Sequence, residues 1–402
     1  MSENGEVDKI SQLPDDALVA IISRLTWREA IATSILSTRW RHLYTYITRL
    51  SYSTLHPSER SKDKYFQQLQ EKEFSKHMNE TYDFFASNKD PLFLEEFKLH
   101  IPCLKGGNIK RLLPLVLEKE VESIDIRIIY HNKAMPGYYT FPRKTLINRK
   151  GGDLGLFPGL KSLRKLSLRS LHVDDRDVEL FVSNCAVLEH LSIVGSYRYS
   201  HPEYSIFLHN VPKLVEFNAS DQRHVLGHIL PGIASPVLDQ LLHINVVSTE
   251  ISNHCILPPL PVLNNLKHLK LQVNCMDGSR AFLHDFPRYW RCPSLQKLEI
   301  KLLWMSFEVY DDGYHALLKD LHETGMSTIK PRSHLKEVTL SGCIGSPVDL
   351  SLLFIIIKQA VALETLIVEP CQQTPEIRQR AAALAREYLK QITPVSTNLI
   401  IM

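Results

Sequence analysis

The chain has 402 residues, 44% of them hydrophobic and 23% charged, as in a folded protein with room for one large or two to three ordinary domains. Its net charge of +3 is too balanced to argue for nucleic acid or an anionic membrane as partner. Met1–Lys9 is polar, with no secretory signal, and the strongest apolar run, Leu350–Ile357, falls well short of the roughly 18 residues of a membrane span. No membrane association is therefore expected. Seven cysteines without C-x-x-C spacing, odd in number, read as reduced thiols in the nucleus or cytoplasm.

Three short helices are predicted within Asp8–Tyr44. Leu13-Pro14-Asp15-Asp16 is a start signal, with the proline suited to a first helical turn and the acids to the positive helix end. Leu18, Ile21, Ile22 and Leu25 then fall on one helical face. Thr26 with Glu29 has capping-box spacing for a second helix carrying Ala30, Ile31, Ser34 and Ile35. A last turn comes at Thr38-Arg39-Trp40. A unit of about 40 residues is marginal alone, so this much apolar surface implies a docking face as well as a core.

In order and spacing, Leu13-Pro14, Ile21-Ile22-Ser23-x-Leu25 and Arg39-Trp40 resemble an F-box, and Thr33–Trp40 is similar to its plant form. The resemblance implies docking of a Skp-type adaptor and, through it, cullin and RING subunits of a ubiquitin ligase. It places the adaptor contact and the small core together on Leu13, Pro14, Leu18, Ile21, Ile22, Leu25, Ile31, Ile35 and Trp40, with Trp40 ranked first as a contact. The plainer alternative is a three-helix cap on the next domain of the chain.

Ser51–Ser61 reads as a linker. In Lys64–Ser87, Phe74, Met78, Tyr82 and Phe85 form a stripe, as in a helix covering the open end of the next domain. From about residue 92 an apolar-x-x-apolar-x-apolar unit recurs. It begins at Leu94, Val121, Leu163, Leu188, Leu214, Leu238 (blurred), Leu266, Leu295, Leu335 and Leu363. Successive starts lie 24–29 residues apart, except for 42 after Val121 and 40 after Leu295. Such periods mark leucine-rich repeats, each a short strand that closes its core only against neighbours. The fold class expected is thus α/β: a solenoid of about ten irregular repeats behind a small helical unit. A helix is expected over Asp174–Asn184, and Cys185 and Cys292 read as small buried hydrophobes in turns.

Asn184-Cys185-x-x-Leu188-Glu189-x-Leu191 and Cys292-Pro293-x-Leu295 resemble repeats of plant F-box/leucine-rich-repeat proteins, and His334–Glu369 is similar to the FBD region that closes many of them. A final helix is predicted from Pro375, capped by Thr374, with Ile377, Ala381, Leu384, Tyr388 and Ile392 inward. The expected layout is 8–50 F-box, 51–90 linker and capping helix, 91–332 repeats, 333–370 FBD-like, and 371–402 capping helix and tail.

No catalytic, cofactor or metal motif is found: there is no Gly-rich phosphate loop, no G-x-S-x-G and no H-E-x-x-H. Asp174-Asp175 and Asp311-Asp312 read as solvated turns. Arg143-Lys144 and Arg149-Lys150 read as a basic surface loop, with an anion site as the alternative. The function implied by the resemblance is a non-catalytic receptor that holds an unknown protein substrate for ubiquitination. A scaffold that recruits no ligase is the competing class.

Overall fold

The computed structural model describes residues 9–25, 27–43, 46–53, single positions between 76 and 86, 93–102, 107–129, 139–149, 153, 157–194, 211–221, 242–248, 262–275, 292–304, 331–372 and 375–402. The chain divides into two compact units, Met1–Leu188 and Glu189–Met402. Both are mixed α/β with parallel strands.

The first unit opens with α1 (Asp15–Ile22), α2 (Trp27–Ala32), a 3-10 turn (Thr33–Ile35) and α3 (Trp40–Leu43). Pro14 is the N-cap, one position before the expected first turn, with ψ 158 placing it in extended backbone. The Thr26 cap lies outside the described residues. Strand β1 (Arg49–Ser53) comes next, and α2 packs on it. β2 (Phe93–Leu94), β3 (Glu96–Pro102), α4 (Gly107–Leu117), β4 (Glu120–Val121), β5 (Ser123–Ile129), α5 (Arg143–Arg149), α6 (Pro158–Ser162), β6 (Lys165–Arg169) and α7 (Asp175–Asn184) complete the unit. β1, β3, β5 and β6 pair side by side, all parallel, and β2 pairs with β4.

Strand β1 departs from the expected layout. Ile47, Leu50 and Tyr52 are buried in the same frame as Leu94, Phe97 and Leu99, so the repeat begins one copy earlier than residue 92. The boundary expected at residue 50 falls inside this strand. Of the predicted covering helix, Lys76, Asn79, Tyr82, Asp83 and Ala86 are helical; Phe74, Met78 and Phe85 lie outside the described residues. Arg111 from α4 stacks 4.3 Å over the Tyr82 ring.

The second unit runs β7 (His190–Val194), β8 (Glu216–Asp221), β9 (His243–Ser248), β10 (His268–Cys275), β11 (Lys297–Trp304), β12 (Glu337–Cys343), α8 (Pro347–Gln359), β13 (Thr365–Pro370), α9 (Pro375–Ile392) and β14 (Asn398–Ile401). Its eight strands among the described residues lie in sequence order, every neighbouring pair parallel. That order comes from one strand per repeat: each inward apolar pair, such as Leu298 and Ile300, is closed only by its neighbours, here Val338 and Leu340.

Register corrects the blurred repeat. Ile244 stands opposite Phe217 and Leu269, and Val246 opposite Ala219 and Leu271. The frame is therefore Leu241-x-x-Ile244-x-Val246, three residues later than read from Leu238. The helix α9 starts at Pro375 as expected, but its buried stripe is Ala381, Ala382, Ala385 and Leu389, rotated by one position from the predicted face. Ile377, Leu384, Tyr388 and Ile392 flank it, half-buried. β14 replaces the expected tail.

Burial fixes the chemistry of the described thiols. Cys185 and Cys292 are buried in turns, and desolvation pushes both up to about 12. A thiol reacts as its thiolate. Alkylation of the native chain at neutral pH is therefore expected to label half-exposed Cys371 at least about 100-fold faster than Cys185 or Cys292. Mass mapping checks this, and equal labelling of all three contradicts the buried turns.

Candidate docking face

The helical unit sorts its apolar residues into two sets. Leu18 and Ile22 of α1 and Ala30 of α2 are wholly buried, with Trp40 and Leu43 of α3 nearly so. Packing of α3 on α1 and on the 3-10 turn forms this small core. The other set faces solvent: Ile35 is 85% exposed, Leu36 63%, Ile10 57% and Ile21 45%. Pro14 is exposed as well, and Leu13 and Leu25 are half-buried.

The nine residues expected to share docking and core therefore separate. Pro14, Ile21 and Ile35 are offered outward, Leu13 and Leu25 are half-buried between the two sets, and Leu18, Ile22 and Trp40 turn inward. Ile31 lies in α2, and its side chain is outside the described residues. Trp40, expected to lead the contact, is 6% exposed and is a core residue. The reason is local. The Trp40 backbone N–H donates to Ser37 Oγ at 3.3 Å where α3 begins, and α3 packs on α1 with Trp40 buried. Ile10 and Leu36 join the outward set without having been expected there. Leu36 had a signal, since it adjoins Ile35 in an otherwise polar Ser34–Thr38.

Arg39 enters the sequence pattern only as part of the Arg-Trp pair, yet it ties the face together. Its guanidinium donates to the Ser11 carbonyl at 2.8 Å, the Leu13 carbonyl at 2.5 Å and Asp15 Oδ1 at 2.6 Å. These bonds hold the Ser11–Asp15 segment, with Leu13-Pro14, beside the turn after Leu36. The site is exposed enough to be screened, so the clamp is worth about 1 kcal/mol. Arg39→Gln should speed amide exchange in α1 by roughly fivefold, measured by hydrogen exchange; an unchanged rate contradicts the clamp.

Elsewhere in the first unit, the expected basic loop resolves differently. Arg143 on α5 donates to Asp174 Oδ1 at 2.5 Å and Asp177 Oδ1 at 2.9 Å. Asp174 and Asp177 form a reciprocal capping box on α7. Burial, joined by the neighbouring Asp174 charge, pushes Asp177 up to about 7; at Asp174 burial is outweighed by the Arg143 bond, and that carboxyl stays low. Arg143 is thus a strut between α5 and α7 rather than a surface cation, and Asp174 is a cap rather than a solvated turn. The Arg149 side chain, Lys150 and Asp311-Asp312 lie outside the described residues. A cleft of about 600 Å³ beside Arg49, Phe93, Glu95, Glu122 and Arg164 is lined largely by charges that pair, with Arg49–Glu95 at 2.7 Å and Arg164–Glu122 at 3.8 Å.

Among the described residues no group of His, Cys, Asp or Glu is placed to hold a metal ion, and no helix is long and apolar enough to cross a membrane. What the helical unit can do chemically is bury exposed apolar surface against a partner.

No family model matches the chain. An FBD-associated F-box protein of Arabidopsis thaliana is 28% identical over 200 residues, 46% of each chain. An F-box/FBD/LRR-repeat protein of the same plant is 27% identical over 332 residues, 74% of each. An F-box/LRR-repeat protein is 48% identical over 52 residues, 13% of this chain and 14% of its own length. The chain is similar to plant F-box/leucine-rich-repeat proteins. It spans about half the length of the first of these relatives. Its FBD-like region keeps the expected order. β12 shifts register at Gly342 (φ +85) and leads into a turn with Gly345 (φ +75), α8 comes next, and Leu363-Glu364-x-Leu366 enters β13. Cys343, at the end of β12, is buried.

Proposed function

We propose that this chain is the substrate-recognition subunit of an SCF-type ubiquitin ligase. The observation that carries the proposal is the exposure of Ile35 and Leu36, at 85% and 63%, on a helical unit whose core is already filled without them. Large apolar side chains left out together in this way fit a protein docking face. The occupant is a Skp-type adaptor bridging to cullin and RING subunits. Residues 8–48 form the F-box, and β1 with the strands behind it forms a leucine-rich-repeat solenoid that binds a protein substrate. The chain itself transfers nothing; it raises the local concentration of substrate lysines near the ubiquitin thioester. Localisation to nucleus or cytoplasm accords with that role.

The relatives support this reading through their F-box and LRR-repeat names. A scaffold without ligase recruitment is the second reading, and nothing in the fold favours it. Co-purification separates the two. A Skp-type adaptor should accompany the full chain and be lost when Leu13→Ala and Pro14→Ala are combined in a protein still folded by circular dichroism. Retention of the adaptor by that variant removes this face from the site.

A further inference from the structure

Among the described residues the second unit's sheet ends in an edge strand, β14. Among the described residues β14 has a strand neighbour on one side only, β13. The Asn398 N–H donates to the Glu364 carbonyl at 2.8 Å and the Met402 N–H to the Val368 carbonyl at 3.1 Å. Alternation along a strand then turns the N–H and C=O of Leu399 and Ile401 to the open side.

Native edges are commonly blunted by lysine, proline or a bulge. Val395–Met402 contains no charged residue and no proline. Ile400 is 37% and Met402 55% exposed, and Leu399 and Ile401 are only half-buried. The outward register row is polar through Ser192, Asn218, Asn245, Lys270, Glu299 and Thr339, and turns apolar at Ile367 and Ile400, at the edge.

We propose that β14 is the seam of a two-fold homodimer, pairing antiparallel with β14 of a second copy about Ile400. The register is self-consistent. Centring on Ile400 sets Leu399 opposite Ile401 of the second copy, and both residues direct their N–H and C=O to the open side. These form the hydrogen-bonded pairs, while the two Ile400 residues meet at the close, non-hydrogen-bonded position. A charge-free strand offers no pattern to select a charged partner, whereas a two-fold axis makes this one complementary to itself. The seam is short, so the dimer is weak and concentration-dependent.

Sedimentation of the full chain tests this. The mass should rise from monomer toward dimer between low and high micromolar concentration. Ile401→Pro removes an open-side N–H while leaving the Asn398 and Met402 bonds to β13, and Ile400→Lys sets like charges opposite each other. Both variants should stay monomeric. Ile35→Asp with Leu36→Asp, far along the sequence in the helical unit, should still dimerise. Should Ile401→Pro lower the melting temperature, the outward-facing Ile400→Lys decides. A monomer at every concentration, or a dimer surviving Ile400→Lys or lost with Ile35→Asp/Leu36→Asp, overturns the proposal.

Discussion

Ile35→Asp combined with Leu36→Asp is expected to weaken binding of a Skp-type adaptor by at least about 100-fold while leaving the fold intact. Burying one Ile or Leu is worth roughly 1.5–3 kcal/mol, so two give about 3–6 kcal/mol, and each 1.4 kcal/mol is tenfold in affinity. A charge in their place adds a desolvation cost on the bound side only. Both residues are largely solvated in the free chain, so the substitutions belong to the surface class that moves stability by about 0.5 kcal/mol or less. Trp40→Ala is the contrast. It should cost about 3–5 kcal/mol of stability in the helical unit by emptying its core, and lose adaptor binding only as a consequence. Calorimetric titration paired with thermal unfolding separates the two variants. Normal affinity in the Ile35/Leu36 double variant contradicts the assignment of the face.

Gly342→Ala should destabilise the second unit by more than about 3 kcal/mol. Gly342 has φ +85, where an L side chain is strained, and a Cβ there would meet the Leu302 carbonyl oxygen. That obstacle is backbone of the neighbouring β11 and cannot swing aside. The Trp304 indole N–H also donates to the Gly342 carbonyl at 2.8 Å, so displacing β12 at this register shift loosens β11 and β12 together. Gly345→Ala is milder. At φ +75 its Cβ would lie 2.8 Å from Leu384 Cδ1, the far end of a flexible side chain that can give way. A cost of about 1 kcal/mol, mainly from the backbone, is expected there. Hydrogen exchange of β11 and β12 measured in increasing urea ranks the two. Equal costs contradict the close approach at Leu302.

The strand pattern is legible in the sequence because its physics is periodic. Pairs such as Leu166 and Leu168, or Leu366 and Val368, alternate inward from copy to copy, and stacking repeats the demand. The same periodicity is hidden where another signal overlies it. Ile47-x-x-Leu50-x-Tyr52 carries the pattern, but it overlaps the end of the segment that reads as the helical unit. A frame begun at Leu238 sets His243 at the third apolar position, whereas Leu241-x-x-Ile244-x-Val246 fits throughout, and the register of Ile244 agrees with the later frame. β14 has Ser396 where other copies have an apolar first position, so its spacing gives little warning. In the docking face, Ile22 and Ile21 are chemically identical neighbours, one buried and one exposed; the sequence groups them because sorting them needs the placement of α3. Arg39's three acceptors lie 24 to 28 residues away in sequence, a contact that only the fold assembles.

Hydrogen exchange of the full chain with and without a saturating Skp-type adaptor tests the central claim most directly. Protection should rise over Ile10–Asp15 and Thr33–Leu36, which carry exposed apolar residues, and stay unchanged in the strands of the second unit. An adaptor that binds without protecting these segments, or that does not bind at all, contradicts the account.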